Sequence, residues 1–267
     1  MDWNVYEQIK RKIKKKEGKM EQTLKLEDLR ESKIYVRNNI SYMKPKELVN
    51  PFLNKIGYDE STDQLHIEVQ NAVVNQNVEG GENIAYPRFM LEVRREEVFF
   101  GDVAYVNVFG LLIGMDQQKP IIKAYTGMNV SACTNLCVFN ADETYSQNLM
   151  ESLDNTWNAV VRFSENEKRK LDNYREIHMN LVDTSLNQEE VNERLGFLLR
   201  NANKTKLGTT PIVNAAKLLT DRASAYYFEK ETNMFNLFNA VTQGITDSKD
   251  LLYRPDKTWG LAKLLLN

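Results

Sequence analysis

This sequence is poor in the residues from which disulfide frameworks and metal sites are built. Its 267 residues include two cysteines and two histidines, His66 and His178. Two cysteines cannot form a disulfide framework, and a reducing cytoplasm is the usual setting for such a chain. If residues 130–139 form one extended strand, Cys133 and Cys137 lie roughly 13 Å apart, too far for a disulfide or a shared metal ion. We therefore predict no metal site and no cofactor.

Long apolar runs are absent as well. No stretch approaches the roughly 18 apolar residues that a membrane span requires, and no apolar segment follows the first residues, as a secretion signal would need. With 42% hydrophobic and 27% charged residues, the composition is that of a globular protein with enough apolar material for a core. These features exclude the collagen-like, disordered and integral membrane classes, and they predict no membrane partner.

The sequence also lacks the short motifs that mark common chemistries. It contains neither G-x-x-x-x-G-K-[ST] nor G-x-G-x-x-G, the glycine-rich patterns that cradle phosphates, and no G-x-S-x-G nucleophile turn. The two histidines lie in different halves of the chain, and we predict no catalytic residue. Acidic residues are plentiful, however, and carboxylates alone can bind Mg²⁺. A carboxylate-metal nuclease therefore stays open as an alternative.

What the sequence does contain is a basic arm at its start. Residues 1–19 hold seven lysines and arginines against three acidic residues, a net charge of +4. Because the whole chain carries −2, the rest of it carries −6. Arm lysines can contact phosphates without reading a sequence, whereas the alternative for them is a solvated helix face. The candidate nucleic-acid contacts in the arm are Lys10, Arg11, Lys12, Lys14, Lys15, Lys16 and Lys19.

The acidic body limits where else a nucleic acid can bind. Proteins that bind single strands without sequence preference usually present a basic groove. Here such a groove requires local clustering, either of Arg88, Arg94 and Arg95 or of Lys204 and Lys206. Aromatic residues can stack bases on an open sheet face, but they more commonly pack between a sheet and helices, which we favour here. The aromatic residues concerned are Phe99, Phe100, Tyr105, Phe109 and Tyr125.

Hydrophobic periodicity divides the chain into a β-rich part and a helical part. Over residues 33–142 apolar and polar residues alternate, and glycine-containing turns separate the runs. Over residues 143–267 apolar residues recur every three or four positions, as on helices packed against a sheet. Residues 1–32 form the basic arm. The predicted fold is α+β, with an antiparallel β-rich N-terminal half followed by a helical C-terminal half.

Polar residues mark where helices of the second half begin. Asn187 is followed three residues later by Glu190, and Ser164 by Glu167, which is the spacing of a capping box. Thr232 is the expected cap of a later helix, because its hydroxyl can accept a hydrogen bond from a free backbone N–H.

Two segments of the chain resemble a phage/plasmid-like protein family of unknown function. Residues 234–247, M-F-N-L-F-N-A-V-T-Q-G-I-T-D, are similar to its W-G-L-x-N-A-V-T-x-x-x-D segment. Residues 129–136, N-V-S-A-C-T-N-L, are similar to its V-x-C-T-N-x-L strand. The order of the two segments agrees, although Phe235 and Asn236 replace the family's tryptophan–glycine pair. The residues that carry the resemblance are Cys133, Thr134, Asn135, Asn239 and Thr242.

The resemblance implies a protein that is encoded by a bacteriophage or plasmid and made in the bacterial cytoplasm. No catalytic residue carries over from it. Together with the basic arm, it leads us to expect an accessory protein of DNA metabolism that binds single-stranded nucleic acid without catalysis. The alternative is a protein-binding module that inhibits or redirects a host factor, since acidic surfaces suit basic partners. The expected partners are therefore nucleic acid, or else a host or phage protein.

Overall fold

The fold follows the predicted order of a β-rich part and a helical part, except that residues 144–148, predicted to be helical, form a strand that pairs with the sheet. The structure, a computed structural model, describes residues 26–27, 34–35, 42–43, 45–73, 85–116, 119–131, 135–139, 143–247 and 251–266, and the side chains at 34–35, 42–43, 69–73, 85–88, 115–116 and 119 lie outside this description. The strands are β1 (Ile34–Tyr35), β2 (Tyr42–Met43), β3 (Gln64–Val73), β4 (Ala85–Phe100), β5 (Val103–Asp116), β6 (Lys119–Val130), β7 (Leu136–Cys137), β8 (Thr144–Asn148), β9 (Ser185–Asn187) and β10 (Glu231–Asn233). The helices are α1 (Lys46–Ile56), α2 (Asp154–Glu165), α3 (Glu167–Asp183), α4 (Gln188–Asn201), α5 (Thr210–Thr220), α6 (Met234–Thr246) and α7 (Arg254–Leu265).

A curled antiparallel sheet dominates the first half. Its strand order is β3-β4-β5-β6-β7, and β8 also pairs with β6. The register of β4 on β5 shifts between Arg94 and Glu97, and a bulge of this kind bends a strand and increases its twist. With helices filling the second half, the fold is α+β, and the predicted fold class is confirmed.

The chain reverses after β6. A single strand over residues 130–139, the condition under which Cys133 and Cys137 would lie far apart, does not form. β6 ends at Val130, and β7 pairs antiparallel with it, Leu136 opposite Asn129. The Val130 N–H donates to the carbonyl oxygen of Asn135 at 3.3 Å, so a backbone hydrogen bond closes the reversal that a period-two pattern cannot reveal.

One face of the sheet is apolar and forms two cores. At one end, Leu91, Val93 and Phe109 pack with residues of α1 and α2. At the other end, Tyr105 and Met128 pack with residues of α3 to α7. Because burying one large apolar side chain contributes roughly 1.5–3 kcal/mol, this face accounts for much of the stability of the fold.

The opposite face, which we call the polar face, carries buried polar side chains such as Glu92 and Lys123 beside a third apolar cluster, and the C-terminal segment returns to cover it. Leu251 and Leu252 are buried against Met90, Val108 and Leu112 of the sheet. Two long-range ion pairs hold this segment in place: Lys123 Nζ lies 2.8 Å from Asp256 Oδ2, and Arg254 Nη1 lies 2.6 Å from Glu68 Oε2.

The predicted helix starts are partly confirmed. Asn187 and Glu190 form the capping box at the start of α4. Ser164 does not cap α3, because it still lies inside α2, and the chain leaves the helix only at Asn166. Thr232 does not cap α6 either, because pairing of β10 with β9 keeps the chain extended as far as Asn233, whose side chain accepts from the Asn236 N–H.

A buried histidine joins the sheet to α3. The side chain of His178 is 4% exposed, and its Nδ1 lies 2.8 Å from the hydroxyl of Tyr105. The rings of Phe100 and Phe235 lie 6.0 Å and 4.9 Å from the imidazole. Burial lowers the pKa of His178, and a backbone hydrogen bond to Phe100 and the charge of Asp183 partly offset this. The native protein therefore favours the neutral ring.

We expect His178 to make the protein less stable in acid. The unfolded state binds a proton below about pH 6.5, whereas the native state does so only at lower pH, so the free energy of unfolding falls as the pH drops. In His178→Gln this contribution is absent. The difference in unfolding free energy between the parent protein and the variant should shrink between about pH 8 and pH 5, as measured by urea unfolding. His66→Gln, which retains His178, should keep the dependence, and parallel curves for the parent and His178→Gln would contradict the assignment.

Candidate nucleic-acid interface

The seven arm residues predicted to bind nucleic acid lie outside the described residues. They are Lys10, Arg11, Lys12, Lys14, Lys15, Lys16 and Lys19. Their role stays a prediction that rests on the sequence. The candidate residues in the rest of the chain can be compared with the structure.

Arg94 lies on the polar face of the sheet beside a buried carboxylate. Its Nη2 donates to Glu92 Oε2 at 2.9 Å and its Nε donates to the same oxygen at 3.3 Å. The side chains of Glu92 and Arg94 are 4% and 18% exposed. A buried carboxylate without a partner would cost several kcal/mol, so the positive charge of Arg94 neutralises Glu92. A phosphate would have to compete with Glu92 for this guanidinium.

Tyr125 completes the environment of Glu92 from two strands away. Its hydroxyl donates to Glu92 Oε1 at 2.7 Å. The ring crosses Gly110 on the intervening strand, where a Cβ atom would stand 2.0 Å from the ring carbon Cζ. Burial raises the pKa of Tyr125 well above its usual value, and the charge of Glu92 raises it further. The phenol therefore keeps its proton and serves as a hydrogen-bond donor.

Arg95 lies on the opposite face of the sheet from Arg94. Its Nη1 lies 2.5 Å from Asp63 Oδ2, and its Nη2 donates to the carbonyl oxygen of Ile56 at the end of α1. Its guanidinium carbon lies 5.4 Å from the centre of the Phe109 ring. A cation is favourable at the C-terminal end of a helix, where carbonyl oxygens lack partners. Arg95 thus stabilises the junction between α1 and the sheet.

The three sheet arginines do not come together as one basic patch. Arg94 and Arg95 bind carboxylates on opposite faces of β4. Arg88 lies in the same strand opposite Gln70, and its side chain is outside the described residues. The prediction that these arginines bind nucleic acid is untested, and the two described guanidinium groups have partners within the chain.

Three of the five residues that carry the family resemblance, Asn135, Asn239 and Thr242, meet in space. The side-chain nitrogen of Asn135 donates to the carbonyl oxygen of Asn239 at 3.2 Å and to the hydroxyl of Tyr226 at 3.3 Å. The hydroxyl of Thr242 donates to the same carbonyl oxygen at 2.9 Å. Asn135 is fully buried, so it joins the end of the sheet to α6. Cys133 and Thr134 lie outside the described residues.

The aromatic residues of the sheet do not form an open stacking platform. Four of the five candidates are 3% exposed or less and lie in the cores. These four are Phe100, Tyr105, Phe109 and Tyr125. Phe99 alone among the five is exposed, at 62%. Core packing is therefore confirmed for four of them, and a nucleic acid cannot stack on their rings.

The longest stretch of the chain without an acidic residue covers residues 194–220, which we call the acid-free segment. It contains five lysines and arginines and no acidic residue, although the chain as a whole has 37 acidic residues. All five cationic side chains are exposed. They are Arg194, Arg200, Lys204, Lys206 and Lys217. Lys204 and Lys206 are candidates from the sequence, whereas Arg194, Arg200 and Lys217 are not among its predictions, although the absence of acidic residues around them is visible in the sequence.

An exposed aromatic ring lies among these cations. Arg194, Phe197 and Arg200 follow one another at intervals of three residues on α4, which places them along one side of the helix. Phe197 is 38% exposed, whereas Leu195 and Leu198 face the core. Within the part of the chain that the structure describes, neither arginine forms an ion pair.

Helix electrostatics account for only part of the acid-free segment. Arg200 lies in the last turn of α4 and Glu189 in the first, as the helix dipole favours. Lys217 lies in the last turn of α5 and is favoured there in the same way, whereas Lys204 and Lys206 lie between the two helices and are not explained by either dipole. Lys206 has a left-handed backbone (φ 60°), and its side chain is 73% exposed, 3.9 Å from Asp256. An exposed pair at that distance contributes little.

Neither a metal-binding cluster nor a membrane-spanning helix occurs among the described residues. Among the described residues, no group of three or more histidine, cysteine and acidic side chains is arranged to hold a metal ion. In the same part of the chain, no helix is both long and apolar enough to cross a membrane.

Comparison with known proteins identifies no relative. No family model, curated protein or solved structure matches this chain. The resemblance to the phage/plasmid-like family therefore stays a prediction carried by two short segments.

We expect Gly110→Ala to disrupt the environment of Glu92. The new methyl group would occupy the position of the Tyr125 ring, so the ring must move and its hydroxyl must leave the carboxylate. Overpacking of this kind costs about 1–3 kcal/mol, and loss of a hydrogen bond to a charged group adds to it. Urea unfolding measures the change.

Gly196→Ala is the matched control for this substitution. At Gly196 the nearest atom to a new Cβ is 3.4 Å away, and alanine is favoured over glycine in a helix by about 1 kcal/mol. This variant should be more stable than the parent. If Gly110→Ala unfolds at the same urea concentration as the parent, the hydrogen bond from Tyr125 to Glu92 does not require the space above Gly110.

Proposed function

We propose that this protein is a phage- or plasmid-encoded accessory protein of DNA metabolism that binds single-stranded nucleic acid without catalysis. The observation that carries the proposal is the acid-free segment, with exposed cations and the exposed ring of Phe197 between Arg194 and Arg200. The basic arm would add electrostatic attraction. The mobile-element origin rests on the family resemblance.

The chemistry of the acid-free segment suits a single strand. Unpaired lysines and arginines that neutralise phosphates release counterions, which gives affinity at low salt. An exposed aromatic ring can stack on a base, and each such contact is worth about 1–3 kcal/mol. In a duplex the faces of the bases are stacked on one another, whereas in a single strand they are available. Phe197 therefore favours single strands.

The internal pairing of the sheet cations supports the same surface. Arg94, Arg95 and Lys123 bind Glu92, Asp63 and Asp256. The acid-free segment has one distant and exposed ion pair, between Lys206 and Asp256. A polyanion would therefore displace fewer internal contacts on the helical half than on the sheet.

The two alternatives are supported less well. A protein-binding module would need an exposed apolar contact, and Phe99 provides one. Capture of a stoichiometric host protein by a variant that no longer binds nucleic acid would favour that alternative. The described residues offer no cluster of carboxylates from which to argue for a metal nuclease, and cleavage of an oligonucleotide with Mg²⁺ would be needed to revive it.

We expect neutralising the acid-free segment to weaken binding to a labelled single strand. The variant replaces Arg194, Arg200, Lys204 and Lys206 with glutamine. If each contacts one phosphate, the slope of log affinity against log salt should become less steep by about 3, since each contact contributes about 0.7 for single strands. Fluorescence anisotropy over a salt series gives both the affinity and the slope.

A control with the same loss of charge separates the surface from the net charge. It replaces Arg162, Lys168, Arg169 and Lys230, which are exposed elsewhere on the helical half, with glutamine. This control should bind as the parent does. A third variant, with the seven arm cations changed to glutamine, measures the arm separately. If the unchanged protein shows no salt-sensitive binding even at low salt, the proposed function is wrong.

Phe197→Ser should weaken binding to single strands and leave duplex binding unchanged. Loss of one stacking contact corresponds to a decrease of roughly 5- to 100-fold in affinity for the single strand. Because no charge changes, the salt slope should stay the same. Leu199→Ser is the control, since Leu199 is a similarly exposed but aliphatic residue of the same helix. Equal losses in both variants, or equal losses for single and double strands, would contradict stacking on Phe197.

A further inference from the structure

The hairpin between β4 and β5 presents an exposed aromatic ring. Phe99 is 62% exposed, the largest value among the exposed large apolar side chains of the described residues, whereas its neighbour Phe100 is 2% exposed. Phe100 packs on Tyr105, with ring centres 5.0 Å apart. Alternation along the strand therefore directs Phe99 away from the core, and Gly101 makes the tight turn that follows with φ 59°.

Acidic residues surround this ring. We define the hairpin tip as residues 96–102, which contain Glu96, Glu97 and Asp102 and no lysine or arginine. All three carboxylates belong to exposed residues. The nearest preceding cation, Arg95, is paired with Asp63. One cation from another element reaches the tip, since the guanidinium carbon of Arg175 lies 5.5 Å from the centre of the Phe100 ring. Three carboxylates outnumber it, so a partner that combines positive charge with an apolar contact fits the hairpin tip.

The acid-free segment of this same chain has that chemistry. It carries five exposed cations and three exposed large apolar side chains. The three are Phe197, Leu199 and Val213. The two surfaces thus hold most of the large apolar side chains exposed in the described residues, the remaining ones being Met150 and Met179. Their charges are opposite, so the acid-free segment of another copy fits the hairpin tip.

We propose that the hairpin tip of one copy docks on the acid-free segment of a second copy of this chain. The tip and the segment are different surfaces, so the contact is head-to-tail and generates a ring or an open chain of copies. The carboxylates of the tip take the place of phosphates, and Phe99 packs beside Phe197. The proposal uses the surface of the proposed function but does not require nucleic acid.

Two complementary variants test the contact. The tip variant carries Glu96→Gln, Glu97→Gln and Phe99→Ser, and the segment variant carries Arg194→Gln, Phe197→Ser and Arg200→Gln, so that neither altered surface attracts the other. Sedimentation velocity at low salt, over a concentration series, should show the mass of the unchanged protein rising with concentration. Each variant alone should remain a single copy.

The mixture of the two variants provides the decisive result. The tip variant keeps an intact segment, and the segment variant keeps an intact tip, so an equimolar mixture should form pairs and nothing larger. Formation of the pair also shows that both variants are folded. The proposal is overturned if the unchanged protein remains a single copy at every concentration, if either variant alone still associates, or if the mixture does not pair. If the unchanged protein remains a single copy, any basic partner of the tip must be a different molecule.

Nucleic-acid titrations of the same variants distinguish this proposal from the proposed function. The tip variant should bind a single-stranded oligonucleotide at least as tightly as the unchanged protein, because its segment is intact. The oligonucleotide should also dissociate the copies, because it competes for the same cations. If the copies associate but no oligonucleotide binds, the proposed function fails and the head-to-tail contact stands.

Discussion

The buried carboxylate of Glu92 constrains the centre of the sheet. A charge removed from water needs a partner and hydrogen bonds on its remaining lone pairs. Arg94 and Tyr125 meet this requirement, and Tyr125 can do so only because Gly110 leaves its ring room to cross the intervening strand. Side chains of two strands, β4 and β6, are thereby fixed relative to one another across the strand between them.

The same principle governs the other charges of the sheet and determines which cations remain for a partner. Lys123 and Arg254 pair with carboxylates 133 and 186 positions away in the chain. These pairs hold the C-terminal segment against a face of the sheet that the first half of the chain forms. Contacts between such distant positions form late and slowly in folding. The positive charge of the sheet is mostly neutralised internally, whereas the acid-free segment of the helical half is not.

The sequence predicts the architecture better than the site. Alternation identifies the sheet, and the pair Asn187 and Glu190 identifies the start of α4, because both are local patterns that tertiary contacts did not override. A single strand over residues 130–139 does not form. The chain reverses there through a hydrogen bond between Val130 and Asn135, which the local pattern does not reveal. The environment of Glu92 is not predictable either, since its partners lie on other parts of the chain.

The candidate interface is likewise only partly predictable from the sequence. Counting local cations selects Arg94 and Arg95, and only the structure shows that each has a carboxylate partner. The acid-free segment, by contrast, is visible in the sequence as a stretch without acidic residues. The exposure of this segment and the position of Phe197 on the outer side of α4 depend on which faces of the helices pack against the core.

Hydrogen–deuterium exchange, with and without a single-stranded oligonucleotide at low salt, tests the central claim most directly. If the acid-free segment is the interface, amide exchange should slow in the last turns of α4, the following turn and the start of α5, while the sheet strands outside the hairpin tip stay unchanged. Unchanged exchange across residues 194–220 at an oligonucleotide concentration that saturates binding, or slowing confined to the sheet, would contradict the claim.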